Sequence, residues 1–203
     1  MLIKSVEFAG AIAGIDGKAP GSFPQVAFSG RSNVGKSSLI NRLLGRTRTA
    51  VARVSSTPGK TREINFFDVE ATTSEDEPLR FYVVDLPGYG YARVPVAVKQ
   101  HWQPLIEWYL GNTAPLKGVV QLIDVRHEPA DADRLMLHYL AETGVPALFV
   151  LTKVDKLTRS ARATQVRKVL RALVIEADQA IEFSAMTGEG REELLDAVEG
   201  LLV

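Results

Sequence analysis

Two rhythms of apolar and polar positions run along the chain, and the switches between them lay out its elements. Residues 26–29, Val-Ala-Phe-Ser, form a short apolar run that stops at Gly30, and a helical pattern follows over about 36–44 and ends at Gly45. Residues 46–62 are rich in Arg, Ser, Thr, Pro and Gly and read as loop. Segments 64–69 and 80–84 are strand-like and are joined by an acidic turn at 73–78. Residues 96–110 read as a helix with Trp102, Ile106 and Tyr109 on one face. Then come strand 119–125, helix 131–142, strand 147–151, a basic helix 161–172, strand 180–184 and helix 192–202. This alternation predicts an α/β fold with a mostly parallel six-stranded sheet, one antiparallel edge pair at the acidic hairpin, and helices on both faces. Ligands of such sheets bind beyond the carboxyl ends of the strands.

Composition narrows the picture. The 203 residues fit a single domain over 1–203, with 1–23 a short N-terminal extension. Without cysteine, thiol catalysis and cysteine-ligated metals are excluded, and His101, His127 and His138 lack metal-ligand spacing. The longest stretch free of charged residues, 19–30, is too short for the roughly 18 residues of a membrane span. Glu7 interrupts the mildly apolar stretch 6–15, which argues against a secretory signal and for the cytoplasm.

Lys plus Arg equals Asp plus Glu at 24 each, so no global field draws the whole molecule to nucleic acid or a membrane, and neither DNA nor a membrane is an expected partner. The charges are nonetheless segregated. Residues 17–62 carry Lys18, Arg31, Lys36, Arg42, Arg46, Arg48, Arg53, Lys60 and Arg62 and no acid. A second basic group holds Arg162, Arg167, Lys168 and Arg171. Such clusters suit an anionic partner or are solvated faces.

The chemistry concentrates at strand ends. Gly30-Arg31-Ser32-Asn33-Val34-Gly35-Lys36-Ser37 fits G-x-x-x-x-G-K-[ST], in which glycines let backbone N–H groups converge on phosphate oxygens at a helix N-terminus. Lys36 can reach the β- and γ-phosphates and Ser37 can ligate Mg²⁺. Asp85-Leu86-Pro87-Gly88 resembles D-x-x-G, whose Asp holds Mg²⁺ through water and whose Gly N–H senses the γ-phosphate. Thr152-Lys153-Val154-Asp155 resembles N-K-x-D. There the Asp carboxylate can accept both the N1–H and the 2-amino group of guanine, a donor pair adenine lacks. Phe183-Ser184-Ala185 is placed to offer a backbone N–H to guanine O6. Thr152 departs from the general Asn; its hydroxyl is expected to lack the reach to brace the phosphate loop, weakening nucleotide binding.

These motifs, extended by Ser38-Leu39-Ile40-Asn41, Ser56-Thr57-Pro58-Gly59-Lys60-Thr61, Ile64-Asn65-Phe66-Phe67, Tyr89-Gly90-Tyr91-Ala92 and Ile123-Asp124-Val125-Arg126-His127, resemble the EngB (YihA/YsxC) family, over about residues 4–202. These are small bacterial GTPases grouped with TrmE, Era and EngA. The resemblance implies a Ras-like P-loop GTPase domain that binds GTP/GDP and Mg²⁺ and acts as a monomeric cytoplasmic switch in assembly of the large ribosomal subunit, contacting rRNA. A role in another RNA-related or cell-division (septation) process remains open. Thr61 would be the switch threonine on Mg²⁺, with Thr57 its rival, and Ser37 and Asp85 would complete the metal set. Gly59 and Lys60 would line the nucleotide with Ser38 and the loop residues. Lys36, Asn33, Thr61 and Gly88 would carry catalysis. Tyr89 stands where Ras-like enzymes carry a water-orienting Gln, so hydrolysis should be slow. In relatives of the group an Asn at the position of Asn33 helps bind K⁺ in place of an arginine finger.

Overall fold

A computed structural model describes residues 1–47, 49–52, 63–90, 96–113 and 115–203, with 96–103 described in backbone only. Seven strands form one sheet in the order β1-β3-β4-β2-β5-β6-β7. They are β1 Leu2–Ile12, β2 Gln25–Gly30, β3 Ile64–Thr72, β4 Pro78–Asp85, β5 Leu116–Asp124, β6 Ala147–Thr152 and β7 Ala180–Phe183. The helices are α1 Lys36–Leu43, α2 Val96–Asn112, α3 Asp131–Thr143, α4 Arg159–Leu173 and α5 Arg191–Leu202. The expected elements are present to within a few residues at their ends.

The sheet is parallel from β4 through β2, β5 and β6 to β7, and the expected antiparallel pair is β3–β4. Among the described residues there are seven strands, not six. The first of them, β1, pairs antiparallel with β3 from Leu2↔Thr72 to Ile12↔Ile64. Residues 2–12, expected as part of an extension, thus form the sheet edge. Register shifts between Ile3 and Ser5 and between Phe8 and Gly10 reset the two-residue alternation, so no clean strand pattern shows in the sequence.

β2 lies at the centre, and its six residues are all buried, as expected of a parallel strand covered on both faces. Val26 and Phe28 join Leu39, Ile40 and Leu43 of α1 and Leu194, Leu195 and Val198 of α5 in one core. Ala27 faces the opposite core with Leu105, Ile106 and Tyr109 of α2 and Leu140 of α3. A third cluster packs Val166, Val169 and Leu170 of α4 against Ile123 and Leu151. Each fully buried Leu, Ile or Phe contributes about 1.5–3 kcal/mol as an upper figure. These two layers hold the carboxyl ends of β2, β4, β5, β6 and β7 along one rim. Among the described residues no helix is long and apolar enough to cross a membrane.

Candidate functional site

The turn after β2 is shaped to receive an anion. Asn33 (φ 63°) and Gly35 (φ 104°) lie in the left-handed region and curl the chain between β2 and α1, the kind of turn in which backbone N–H groups make an anion-binding concavity. α1 begins directly behind it. Its cap residue Gly35 brings no side-chain bond and its first turn no acid, so the terminal donors are left to whatever sits in the loop. Lys36 is buried and ion-paired to the equally buried Asp85 at the end of β4. Ser37, one residue on, is half-buried. A hydroxyl and a carboxylate are hard oxygen donors of the kind Mg²⁺ takes, with waters and phosphates filling its other positions. Among the described residues no cluster of three or more His, Asp or Glu forms a cage by itself. The Ser37 hydroxyl and the Asp85 carboxylate fit a metal whose remaining positions a ligand's own oxygens and waters fill.

The segment after Asp85 is bonded to this loop. Ser32 donates its N–H to the Tyr89 carbonyl at 2.9 Å, and Tyr89 donates to the Gly30 carbonyl at 3.3 Å. A Cβ on Gly88 would stand 3.2 Å from the Ser32 backbone, so any other residue would have to push the two segments slightly apart. The Tyr89 ring points into the protein, where its hydroxyl accepts from Gln121 Nε2 at 2.6 Å and donates to Asp133 Oδ1 at 3.0 Å. Burial, reinforced by the neighbouring Asp133, pushes the phenol well above its ordinary range. Burial likewise raises the Asp133 carboxyl, although the Ala130 N–H and the Tyr89 hydroxyl oppose the rise.

The ends of β6 and β7 complete the rim. Thr152 Oγ1 lies 2.7 Å from the Val34 carbonyl and 3.2 Å from that of Ile123. This corrects the expectation that threonine falls short: β6 ends close enough to the loop for a hydroxyl to span the gap. Lys153, itself left-handed at φ 66°, donates from Nζ to the Asn33 carbonyl at 2.5 Å. Two successive loop carbonyls are thus held by two successive residues of the Thr-Lys-Val-Asp segment. Val154 is buried, anchoring the turn that presents Asp155. Burial would raise the Asp155 carboxyl, but the Ser184 hydroxyl at 2.8 Å and Lys156 at 3.2 Å more than offset this and hold it below its ordinary value. Ser184 Oγ in turn accepts the N–H groups of Met186 and Thr187, fixing the loop after β7.

Residues 25–153 match the family described as 50S ribosome-binding GTPase. A relative from Gemmatimonas aurantiaca, called a probable GTP-binding protein EngB, is 49% identical over 203 residues, covering 100% of this chain and 95% of its own. The chain belongs to the EngB family of GTP-binding proteins. An EngB of Syntrophotalea carbinolica is 45% identical over 199 residues, 98% of this chain and 91% of the relative. As an EngB-family member the chain is a P-loop GTP hydrolase. A solved probable GTP-binding protein engB superposes with a TM-score of 0.65 at 24% identity, covering 88% of this chain and 98% of that one. Era in complex with MgGDPNP and nucleotides 1506–1542 of 16S ribosomal RNA gives a TM-score of 0.70 at 20% identity, covering 90% and 57%. At those identities the two structures bear on the Ras-like fold alone.

The structure brings together the expected residues from Gly30 to Ser38, Asp85 to Gly88, Thr152 to Asp155 and Phe183 to Ala185. Thr57, Gly59, Lys60, Thr61, Arg48, Arg53 and Arg62 lie outside the described residues, as do the side chains of His101 and Trp102. Of the second basic group, Arg162 is bonded to Glu182 and Glu189 and Lys168 to Glu128, so these two are engaged within the protein. Arg42 is also structural: its Nε and Nη2 donate to the Ala185 and Met186 carbonyls at 2.7 and 2.8 Å, tying α1 to the loop after β7. Only the fold exposes that role, because the contact spans more than a hundred residues of sequence.

Proposed function

We propose that the chain is a single G domain, 1–203, that binds GTP with Mg²⁺, hydrolyses it slowly, and uses the two nucleotide states to engage and leave the large ribosomal subunit during its assembly. It works in the cytoplasm as a monomer, meets rRNA, and uses neither DNA nor a membrane. The observation that carries the switch is the bonding of Tyr89 to the phosphate loop at Gly30 and Ser32, which couples the segment after Asp85 to the loop that receives the phosphates. The ribosomal target is supported by the description of the matched family.

Phosphates seat in the curl of residues 30–37, with the α1 N-terminus behind them. Lys36, now paired with Asp85, would reach the β- and γ-oxygens, and Asp85 with the Ser37 hydroxyl would hold Mg²⁺, which would supply neutralisation of the phosphate charge. Thr61 would be a further ligand of that metal. Asp155 accepts the N1–H and 2-amino group of guanine, held in place by Ser184, and Ala185 offers its N–H to O6. Gly88 N–H reads the γ-phosphate. Because the Tyr89 side chain is spent on Gln121 and Asp133, no side chain at that position orients the attacking water. The intrinsic rate is therefore near or below the roughly 10⁻⁴–10⁻³ s⁻¹ of unstimulated Ras. Asn33, exposed on the loop, is the candidate to hold K⁺ against the phosphates.

GTP turnover with no subunits, with small subunits and with large subunits, each in KCl and in NaCl, tests this reading. A slow basal rate raised only by large subunits supports it. A rate indifferent to both subunits contradicts the ribosomal part, and equal rates in the two salts remove K⁺.

A further inference from the structure

We infer that Asp124 is a positioning residue of the nucleotide site: it holds the Lys153 ammonium on the Asn33 carbonyl and so sets the curl of the phosphate loop. The inference rests on the nucleotide-site reading above. Asp124 is the last residue of β5 and pairs in register with Thr152 of β6, which brings its carboxylate beside the next residue, Lys153. Lys153 Nζ is 2.8 Å from Asp124 Oδ2 and 2.5 Å from the Asn33 carbonyl.

The carboxylate is itself held. Arg126 binds it through Nε to Oδ1 at 2.9 Å and Nη2 to Oδ2 at 2.8 Å, a bidentate fork that leaves little rotational freedom. Arg126 also gives it a backbone N–H at 3.2 Å. Burial would push the acid up, yet Arg126 and Lys153 together bring it down to about 2. It is therefore a fixed anion at any working pH.

The arrangement is needed because Lys153 has somewhere else to go. It lines an open cleft of about 210 Å³ with Arg31, Asn33, Asp124, His127 and Asp133, where an ammonium would be well hydrated. Asp124 removes that alternative. The Lys153 stem then runs beside the loop, its Cε 3.7 Å from where a Cβ on Gly35 would stand. Its head caps the carbonyl of Asn33, the non-glycine residue held left-handed in the loop. Asn tolerates left-handed backbone better than other non-glycine residues, and contacts from its surroundings determine how firmly it is held there. The Lys153–Asn33 bond is one such determinant, and Asp124 stands behind it.

The test measures the dissociation constant of a fluorescent GDP derivative for the parent chain, Asp124→Asn, Lys153→Met and the double variant. Asp124→Asn is expected to weaken binding about tenfold, the low end for loss of a hydrogen bond to a charged group. In the Lys153→Met background the same change is expected to cost less than twofold, because its lever is gone. A purely structural Asp124 would give the same factor in both backgrounds, and that additivity overturns the inference. So does an Asp124→Asn variant that binds within twofold of the parent. Should Asp124→Asn not fold, Arg126→Ala at the more exposed partner replaces it, with a severalfold loss expected in the parent and none in Lys153→Met. A parent chain with no GDP affinity would instead refute the nucleotide site itself.

Discussion

Replacing Thr152 with Val removes one hydroxyl and almost no volume, which makes it a direct probe of how the phosphate loop is braced. Thr152 is 3% exposed and Val34 3% exposed, so neither group of the 2.7 Å bond is compensated by water when it is broken. Stranding a buried carbonyl costs about 1–3 kcal/mol. The bond joins two groups of the protein itself, so the loss falls first on stability. At about 2–4 °C per kcal/mol for a chain of this size, a central loss of about 2 kcal/mol lowers the melting temperature by about 4–8 °C. Thermal unfolding of the nucleotide-free chain reads this directly, and Thr152→Ser, which keeps the hydroxyl, is expected to recover most of it. GDP affinity should fall as well, because part of the binding energy then goes into ordering the loop. Thr152→Asn is expected to tighten GDP binding by no more than a few-fold, since the brace already exists. A Thr152→Val chain that melts within 1 °C of the parent would refute the reasoning.

Further outcomes follow from the same geometry. Tyr89→Phe takes one hydrogen bond each from Gln121 and Asp133, which keep the Leu122 carbonyl and the Ala130 N–H as partners, and is expected to lower stability by about 1–2 kcal/mol in denaturant titration, while Tyr89→Gln should not raise GTP turnover, because a side chain at this position points into the protein. Asp155→Asn replaces an acceptor with a donor and is expected to lose GDP affinity by about a hundredfold or more in equilibrium binding, with xanthosine diphosphate, which carries a carbonyl at the 2-position, gaining. Asp124 lies below its ordinary value when folded, so its contribution to stability is complete above the unfolded value of about 4 and is lost as pH falls toward about 2. The melting-temperature gap between parent and Asp124→Asn should thus be constant from pH 7 to 5 and narrow toward pH 3. Arg42→Ala releases the loop at Ala185 and Met186 and is expected to weaken GDP binding severalfold in the same fluorescence assay.

Much of the fold is legible in the sequence because parallel strands buried on both faces read as short apolar runs, and helices such as α4, with Val166, Val169, Leu170 and Leu173 buried, carry a clear periodic face. β1 is not, because two bulges break its alternation and only Val6 and Ile12 are fully buried. The phosphate loop is legible because its chemistry is local: eight consecutive residues supply the curl, the cation and the hydroxyl. What joins the loop to its surroundings is not local. Asp124 meets Lys153 only because β5 lies beside β6, and Arg42 meets Ala185 only because α1 packs near the end of β7. The expectation for Thr152 went wrong for the same reason: side-chain length is read from sequence, but the gap it must cross is set by where a strand ends. Tyr89 illustrates the intermediate case, since its unsuitability for orienting water follows from residue type while its buried partners do not.

The central claim, a nucleotide-dependent switch on the large ribosomal subunit, is tested most directly by co-sedimentation with purified large subunits and assembly intermediates. The chain is spun with a non-hydrolysable GTP analogue, with GDP and without nucleotide, at low and at moderate salt. The account predicts binding favoured by the analogue and weakened by salt, as expected for contacts to rRNA phosphates. Failure to bind in every nucleotide state, or binding equal in all three, would contradict it.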